Sequence, residues 1–247
     1  MRYGSGPRRG GNIGNGWKWF TVWFCVLGLT WGHRAYGTAS TQIWNPSVDV
    51  QKNGTVHFGI DNYVSIFDNN TRAYQMYPDL GVTVGVWDRM EVGIDMVQPS
   101  PDPLYFNFKF GIPESGLWPA LAAGGFNFGT RGGVTDFNML YCEAGKILPV
   151  IGRLTFGYYR GMNKRLFPDS HQKEADSGII ASWDRTLTGK IWACVDYASG
   201  NSWYGSLSFG GSYEFSPDVS VIFGYVVFND DRVVRNNVFT TQLDITL

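Results

Sequence analysis

Val238-Phe239-Thr240-Thr241-Gln242-Leu243-Asp244-Ile245-Thr246-Leu247 is the run that ends the sequence, and its residues alternate between apolar and polar. One parity carries Phe239, Leu243, Ile245 and Leu247, with Thr241 as the exception, and the other is polar from Thr240 onward. This alternation predicts a strand with one apolar and one polar face. A strand that ends on an apolar residue needs a partner strand to hold its end, because chain ends otherwise fray. We expect that partner to be the first strand, which would close a barrel.

The same alternation recurs along the chain. Four successive segments, around 56–66, 80–86, 90–96 and 104–110, alternate cleanly and are bounded by Asp, Asn, Pro or Gly. Segments 119–128 and 136–148 are strand-like, but either parity could face outward. Five more alternating segments precede the last strand, and polar residues 163–176 predict a long external loop. The sequence therefore predicts an all-β, closed, antiparallel up-and-down transmembrane barrel of about twelve strands, with ten to fourteen compatible with the pattern.

Composition agrees with this fold class. The chain has 32 glycines, 16% aromatic residues and only 17% charged residues, a mixture typical of barrels with tight turns and aromatic belts. A mean hydropathy of −0.14 argues against a bundle of membrane helices. A membrane barrel reaches such a value because alternation dilutes its apolar residues.

The amino-terminal part has a different composition. Residues 1–37 contain arginine and lysine but no acid, an apolar run at 19–31, and small residues at Ala35 and Gly37. These features predict a secretory signal peptide over 1–37, since a transmembrane helix needs about 20 apolar residues. We then expect a segment over 38–54, folded into or across the barrel mouth and interrupted by Pro46, and a barrel over 55–247. Without 1–37 the chain is net acidic, so it lacks the basic surface that nucleic-acid binding requires.

The face that points outward decides the environment of the barrel. The polar parity is rich in Gly, Ser and Thr with few charges, unlike a soluble surface. Bulky aromatic residues of the apolar parity lie near strand ends, as an aromatic girdle would: Phe110, Tyr158, Tyr197, Phe215 and Tyr225. Both features favour a barrel with an apolar exterior in the outer membrane. A secreted soluble β-protein with the faces reversed is the alternative.

The terminal run resembles the carboxy-terminal assembly signal of Gram-negative outer-membrane β-barrels, although that signal ends on an aromatic residue and this chain ends on Leu247. From about Gln51 to Leu247 the layout resembles porin-like outer-membrane barrels in general. The resemblance implies a bacterial outer-membrane location and contact with outer-membrane lipid. It also implies the barrel assembly machinery as a partner that recognises Leu243, Ile245 and Leu247, and the passage of small hydrophilic solutes.

The sequence gives little indication of a catalytic site. His57 and His171 are the only histidines beyond residue 37, and their separation in sequence gives no metal-site spacing. Outer-membrane phospholipases place a catalytic His two residues before a Ser, but here Gly59 and Lys173 stand at those positions. Several carboxylates share the inward parity, as a glycosidase would need, but Lys109 and Arg153 share it too. We therefore expect interior charges that balance one another, no cofactor and no enzymatic activity.

Cys142 and Cys194 are the only cysteines beyond residue 37. They fall on predicted strands that are not neighbours, so two separate buried thiols are expected. A disulfide is the alternative in an oxidising compartment.

The inward parity supplies the candidate lumen residues. A twelve-stranded barrel is narrow enough for side chains to fill much of it. We therefore expect a narrow channel for small hydrophilic solutes; the alternative is a closed structural or adhesion barrel that acts through external loops. The predicted lumen-lining residues are His57, Asp61, Tyr63, Glu91, Asp95, Tyr105, Lys109, Arg153, Tyr159, Trp192, Asp196, Glu214 and Asp244.

Overall fold

A computed structural model describes residues 38–66 and 76–247. It is an antiparallel barrel in which each strand pairs with its neighbours in sequence and β12 returns to β1. The closed, all-β, up-and-down barrel and its twelve strands confirm the prediction. The predicted signal peptide lies outside the described residues. The strands are β1 (Val56–Val64), β2 (Met76–Trp87), β3 (Met90–Val97), β4 (Leu104–Ile112), β5 (Ala120–Gly129), β6 (Met139–Leu148), β7 (Gly152–Gly161), β8 (Ser177–Thr188), β9 (Ile191–Ala198), β10 (Ser206–Ser216), β11 (Val219–Phe228) and β12 (Val238–Thr246).

The terminal strand closes the barrel as its alternation predicts. β12 pairs with β1 from His57↔Thr246 to Val64↔Phe239. The backbone of Leu247 continues this ladder, since its N–H donates to the carbonyl of Val56 at 2.8 Å and its carbonyl accepts from the N–H of Val56 at 2.9 Å. Both strand edges are therefore paired, and the barrel leaves no open edge.

The outer surface of the barrel is apolar. Large hydrophobic side chains on the outward parity of many strands stand exposed, among them Ile94, Phe106 and Phe223. A protein in water would place such side chains inward, so this face fits the hydrocarbon of a membrane. Within the described ranges, no helix is long and apolar enough to cross a membrane.

The structure shows which parity faces the lumen in the two strands, β5 and β6, for which the sequence pattern is compatible with either. Ala120, Ala122, Tyr141 and Glu143 are buried inside the barrel, while their neighbours along β5 and β6 face outward. The outward parity of β6 includes Cys142, so the expectation that both cysteines are buried is wrong for this residue. Cys194 is buried, both thiols are free, and their strands β6 and β9 are not neighbours.

The two ends of the barrel differ in the length of their connections. At one end, called here the turn end, strands are joined through 88–89, 113–119, 149–151, 189–190 and 217–218. At the other, the loop end, the fully described connections are 98–103, 130–138, 162–176, 199–205 and 229–237. The longest of these is the external loop that the polar run 163–176 predicts. Short turns at one end and long loops at the other are typical of outer-membrane barrels, whose turns face the periplasm.

Residues 38–55, called here the inner segment, lie inside the barrel. A tight turn closes where the N–H of Gln42 donates to the carbonyl of Asn45 at 2.8 Å, and Trp44 beside this turn reaches Tyr63 and Phe228 at the loop end. The chain then descends to the turn end and enters β1. It passes so close to β2 that a Cβ on Gly85 would lie 2.1 Å from the carbonyl oxygen of Lys52. Glycine is required there because any side chain would collide with this backbone.

Candidate functional site

The turn of the inner segment is held by Asp196 on β9. One oxygen of this fully buried carboxylate accepts hydrogen bonds from the N–H groups of Ile43 and Trp44, at 2.8 and 3.1 Å. From the other side, the Gln242 amide donates to the carbonyl of Ile43 at 2.8 Å. The Ile43 side chain fills the space left by Gly224, where a Cβ would lie 2.7 Å from its methyl group. Backbone, carboxylate and packing thus fix the turn against β9, β11 and β12.

Lys109 on β4 holds the lower part of the inner segment. Its side chain is only 2% exposed, and its ammonium group lies 3.2 Å from a carboxylate oxygen of Glu91. It also donates to the carbonyls of Ala39, Ser40 and Ser47 at 2.9 to 3.1 Å, and to that of Asp49. The other oxygen of Glu91 accepts from the N–H of Gln51 at 2.6 Å. The charge of Lys109 is therefore surrounded by oxygen atoms and screened from the open lumen.

Arg153 on β7 is neutralised in the same way. Its guanidinium lies 2.8 Å from Asp184 on β8 and 2.6 Å from Asp49 on the inner segment. Asp184 also accepts from the Trp192 indole at 3.1 Å and from the Gln42 amide at 3.3 Å. These contacts tie β7, β8 and β9 to the inner segment in one hydrogen-bonded group.

Aromatic side chains close the same side of the barrel at its loop end. Tyr204 packs on Tyr159 with ring centroids 4.7 Å apart, and Trp44 lies against Tyr204 and Phe228. Burial raises the pKa of the Tyr204 phenol well above its ordinary value, so it remains protonated and donates to Asn45 Oδ1 at 2.8 Å. The side of the barrel formed by β6–β12 is therefore filled by side chains and by the inner segment.

The opposite wall is acidic. Asp61, Asp79 and Asp95 project inward from β1, β2 and β3, and we call them the acidic wall. Asp61 and Asp79 are direct cross-strand partners, and Asp95 Oδ1 would lie 2.9 Å from a Cβ on Gly81. Among residues 38–66 and 76–247, none of the three forms an ion pair with lysine, arginine or histidine. One oxygen of Asp79 has no hydrogen-bond partner in that part of the chain.

The acidic wall borders open space. Asp61, Asp79 and Asp95 are half-buried residues that point into the barrel, as are Tyr63, Tyr105 and Asn107 near them, although one carboxylate oxygen of Asp79 is buried. Inward side chains of β8 and β9, such as Asp184 and Asp196, are buried. Accessible area on an inward side chain means that the lumen is unfilled beside it. The open space therefore lies beside the loop-end parts of β1–β4.

The remaining predicted lumen residues occupy three settings. His57 contacts Asp244 at 3.3 Å and Thr246 at 3.1 Å toward the turn end. Glu214 points inward and is partly exposed. Glu91, Lys109, Arg153, Tyr159, Trp192 and Asp196 also point inward, but they are covered by the inner segment or its neighbours and do not border the open space.

The expectation that interior charges balance is correct for only one side of the barrel. Lys109 and Arg153 are paired with acids on the filled side, whereas the acidic wall has no cation among the described residues. Within the same residues, no group of three or more His, Cys, Asp or Glu side chains is placed to hold a metal ion. The acidic wall is thus an extended array of carboxyl groups rather than a chelating site.

Three residues that complete this arrangement are absent from the predicted lumen-lining set. Asp79 lies just outside the alternating segment predicted at 80–86, whereas β2 begins earlier, at Met76. Its parity with Gly81 and Thr83 is the signal that could have placed it on the lumen face. Asp49 and Gln42 carry no alternating pattern, because they lie in irregular chain, and no local signal identifies their partners.

Comparisons with known proteins give distant likenesses only. No family model matches the chain, and no curated protein matches it. Among solved structures, OmpF from Salmonella typhi in complex with daunomycin has a TM-score of 0.44 and 8% identity over 78% of this chain and 97% of that chain. The COG4313 outer membrane channel from Pseudomonas putida F1 has a TM-score of 0.42 and 9% identity over 80% of this chain and 96% of that chain. A triple mutant of the Rhodopseudomonas blastica porin has a TM-score of 0.36 and 14% identity over 69% of this chain and 55% of that chain. The barrel assignment rests on this chain's own strand pairing.

Proposed function

We propose that this protein is an outer-membrane barrel that forms a narrow, cation-preferring channel for small hydrophilic solutes. The observation that carries the proposal is the partly exposed acidic wall, which faces open space inside a barrel whose outer surface is apolar. Unpaired carboxylates along a pore raise the local concentration of cations and lower that of anions. The narrow passage excludes large solutes because the inner segment and the aromatic residues fill the other half.

The membrane assignment rests on the exterior and on the two unlike ends of the barrel. Lipid would surround the apolar face, with the turn end toward the periplasm and the loop end outside the cell. The outward apolar residues of β12 and Leu247, which is 72% exposed, are available to the barrel assembly machinery. Leu243, Ile245 and Leu247 are the residues that we assign to this recognition.

The first experiment is to express residues 38–247, refold them in detergent and compare boiled with unboiled samples on a gel. We expect a heat-dependent shift in migration, a β-type circular dichroism spectrum and small conductance steps in planar bilayers. Under a KCl gradient, the zero-current potential should show that K⁺ is preferred over Cl⁻. Correctly folded protein without conductance steps would reject the channel and favour a closed barrel that acts through its loops. A protein that is soluble and monomeric without detergent would reject the membrane location.

A further inference from the structure

The inner segment determines which charges the lumen presents. Within the described strands, the lysine and arginine side chains that point inward are Lys109 and Arg153. Lys109 lies among four carbonyl oxygens of the inner segment, and Arg153 is paired with Asp49 of the same segment. The two strand-borne cations of the barrel wall are thus covered by one stretch of chain.

The acidic wall is left uncovered. The inner segment contacts β2 at Gly85 and β3 at Glu91, both toward the turn end. Asp61, Asp79 and Asp95 lie nearer the loop end of the same strands, where the described contacts of the inner segment are those of Trp44 with Tyr63 and its neighbours. The segment therefore covers both strand-borne cations together with Glu91, Asp184 and Asp196, and it leaves the acidic wall accessible.

We propose that the inner segment is the selectivity element of the channel, because it confines the pore to the acidic wall and covers the ion pairs of Lys109 and Arg153. This inference rests on the proposed channel function. Without the segment, the lumen would be wider and would contain these ion pairs beside the acidic wall. Cation preference then comes from the segment as much as from the acidic wall itself.

The segment acts as a fixed filler. Its turn is held by the fully buried Asp196 and by Gln242, and its lower part by Lys109. Charge-assisted hydrogen bonds in a buried site are stronger than neutral ones, and removing one partner leaves the other uncompensated. Withdrawal of the segment would break all of these contacts together. We therefore expect it to stay in the lumen during conduction.

A truncated chain that begins at Val50 tests the selectivity role. Compared with residues 38–247, we expect about a twofold or larger rise in single-channel conductance, because the filler is gone. The zero-current potential in a KCl gradient should move toward zero, since many ions in the wider lumen pass beyond the screened reach of the acidic wall. Lys109→Met with Arg153→Met in the truncated chain is the matched control: conductance should stay high, and cation preference should rise because the acids that these cations neutralise are then unpaired. The heat-dependent gel shift confirms that each variant has folded.

A cysteine pair tests whether the segment stays fixed. A Cβ on Gly145 would lie 2.9 and 3.2 Å from the two methyl groups of Val48, close enough for Val48→Cys and Gly145→Cys to form a disulfide. In a background with Cys142→Ser and Cys194→Ser, we expect equal conductance before and after reduction. A reduced form that conducts more than the oxidised form would show that the segment moves as a gate, and would overturn the fixed filler.

The remaining outcomes separate this inference from the proposed function. If the truncated chain has the same conductance and the same ion preference as residues 38–247, the inference is wrong while the channel stands. If residues 38–247 do not conduct and the truncated chain does, the segment fills the lumen completely. In that case the proposed channel function is wrong, and with it the selectivity role.

Discussion

Asp61 on β1 and Asp79 on β2 are direct cross-strand partners whose side chains both face the lumen. Like charges placed opposite each other on a sheet destabilise it. The nearby Asp95 adds a third carboxylate on the adjacent strand, and no lysine, arginine or histidine of the described chain pairs with any of them. In the proposed channel this arrangement attracts mobile cations, and it does not stabilise the fold.

Neutralising the acidic wall should weaken cation preference. For Asp61→Asn, Asp79→Asn and Asp95→Asn combined, we expect the K⁺/Cl⁻ permeability ratio to fall by roughly two- to threefold, because the local negative potential is lost. The measurement is the zero-current potential across a bilayer with unequal KCl concentrations. Asp88→Asn, in an exposed turn at the turn end, is the matched control and should leave the ratio unchanged. An unchanged permeability ratio in the triple variant would show that the acidic wall does not determine ion selectivity.

Removing the Lys109 charge should destabilise the barrel. Lys109 and Glu91 form an ion pair with side chains 2% and 6% exposed, so Lys109→Met leaves a buried carboxylate without its cation. We expect a loss of about 3–5 kcal/mol in the free energy of unfolding. Adding Glu91→Gln should restore part of the loss. Denaturant unfolding in lipid vesicles measures both, and equal stability of Lys109→Met and the unmodified chain would contradict the buried ion pair.

An arginine introduced on the outer face tests whether that face contacts lipid or water. Ile94 lies in the middle of β3 with its side chain outward and 46% exposed. In a lipid bilayer Ile94→Arg should cost about 2–4 kcal/mol of folding free energy, because the midplane excludes charge. Leu117→Arg, in the connection 113–119, should cost about 0–1 kcal/mol near the interface. If both arginines are equally tolerated in vesicles, the outer face of the barrel is not in contact with hydrocarbon.

The two cysteines should differ in reactivity. Cys142 lies on the outer face, whereas Cys194 is buried and its thiol contacts the Gln42 side-chain oxygen at 3.0 Å. In folded residues 38–247, a membrane-permeant maleimide should label Cys142 and leave Cys194 unmodified until the protein is unfolded. Peptide mapping by mass spectrometry identifies the labelled thiol. The chain truncated at Val50 should expose Cys194, and its continued protection there would show that something other than the inner segment covers it.

Acid should loosen the loop 229–237 at the loop end. Hydrogen bonds from Arg232 lower the pKa of Asp230 to about 2, and the Arg232 guanidinium donates to the carboxylate at 3.1 and 3.2 Å. The folded pKa lies below the unfolded value of about 3.9. The carboxylate therefore stabilises the loop fully above that value and loses this effect as the pH falls toward 2. Hydrogen exchange of the 229–237 amides, corrected for its intrinsic pH dependence, should rise over this interval. Asp230→Asn should remove the pH dependence.

The alternation of apolar and polar residues is sufficient to predict the closed barrel. Period-two alternation is a local property of each strand, so it indicates the strand count, the outward face and the closing strand without knowledge of the partners. The long loop at 163–176 and the inward direction of Asp61, Asp95 and Lys109 follow from the same pattern. Alternation does not predict the outward face where the residues of both parities are small or of mixed polarity, as around Cys142, because neither face is then clearly hydrophobic.

The filling of the lumen depends on contacts between residues that are far apart in sequence. Residues 38–55 bond to Lys109, Arg153 and Asp196, and because their backbone is irregular, no periodic pattern in the sequence predicts those partners. The same holds for the acidic wall, because three carboxylates on separate strands become one surface only through the register of β1, β2 and β3. The inward residues of the barrel carry charges of both signs, and the folded inner segment covers both cations with their acidic partners while the acidic wall stays accessible.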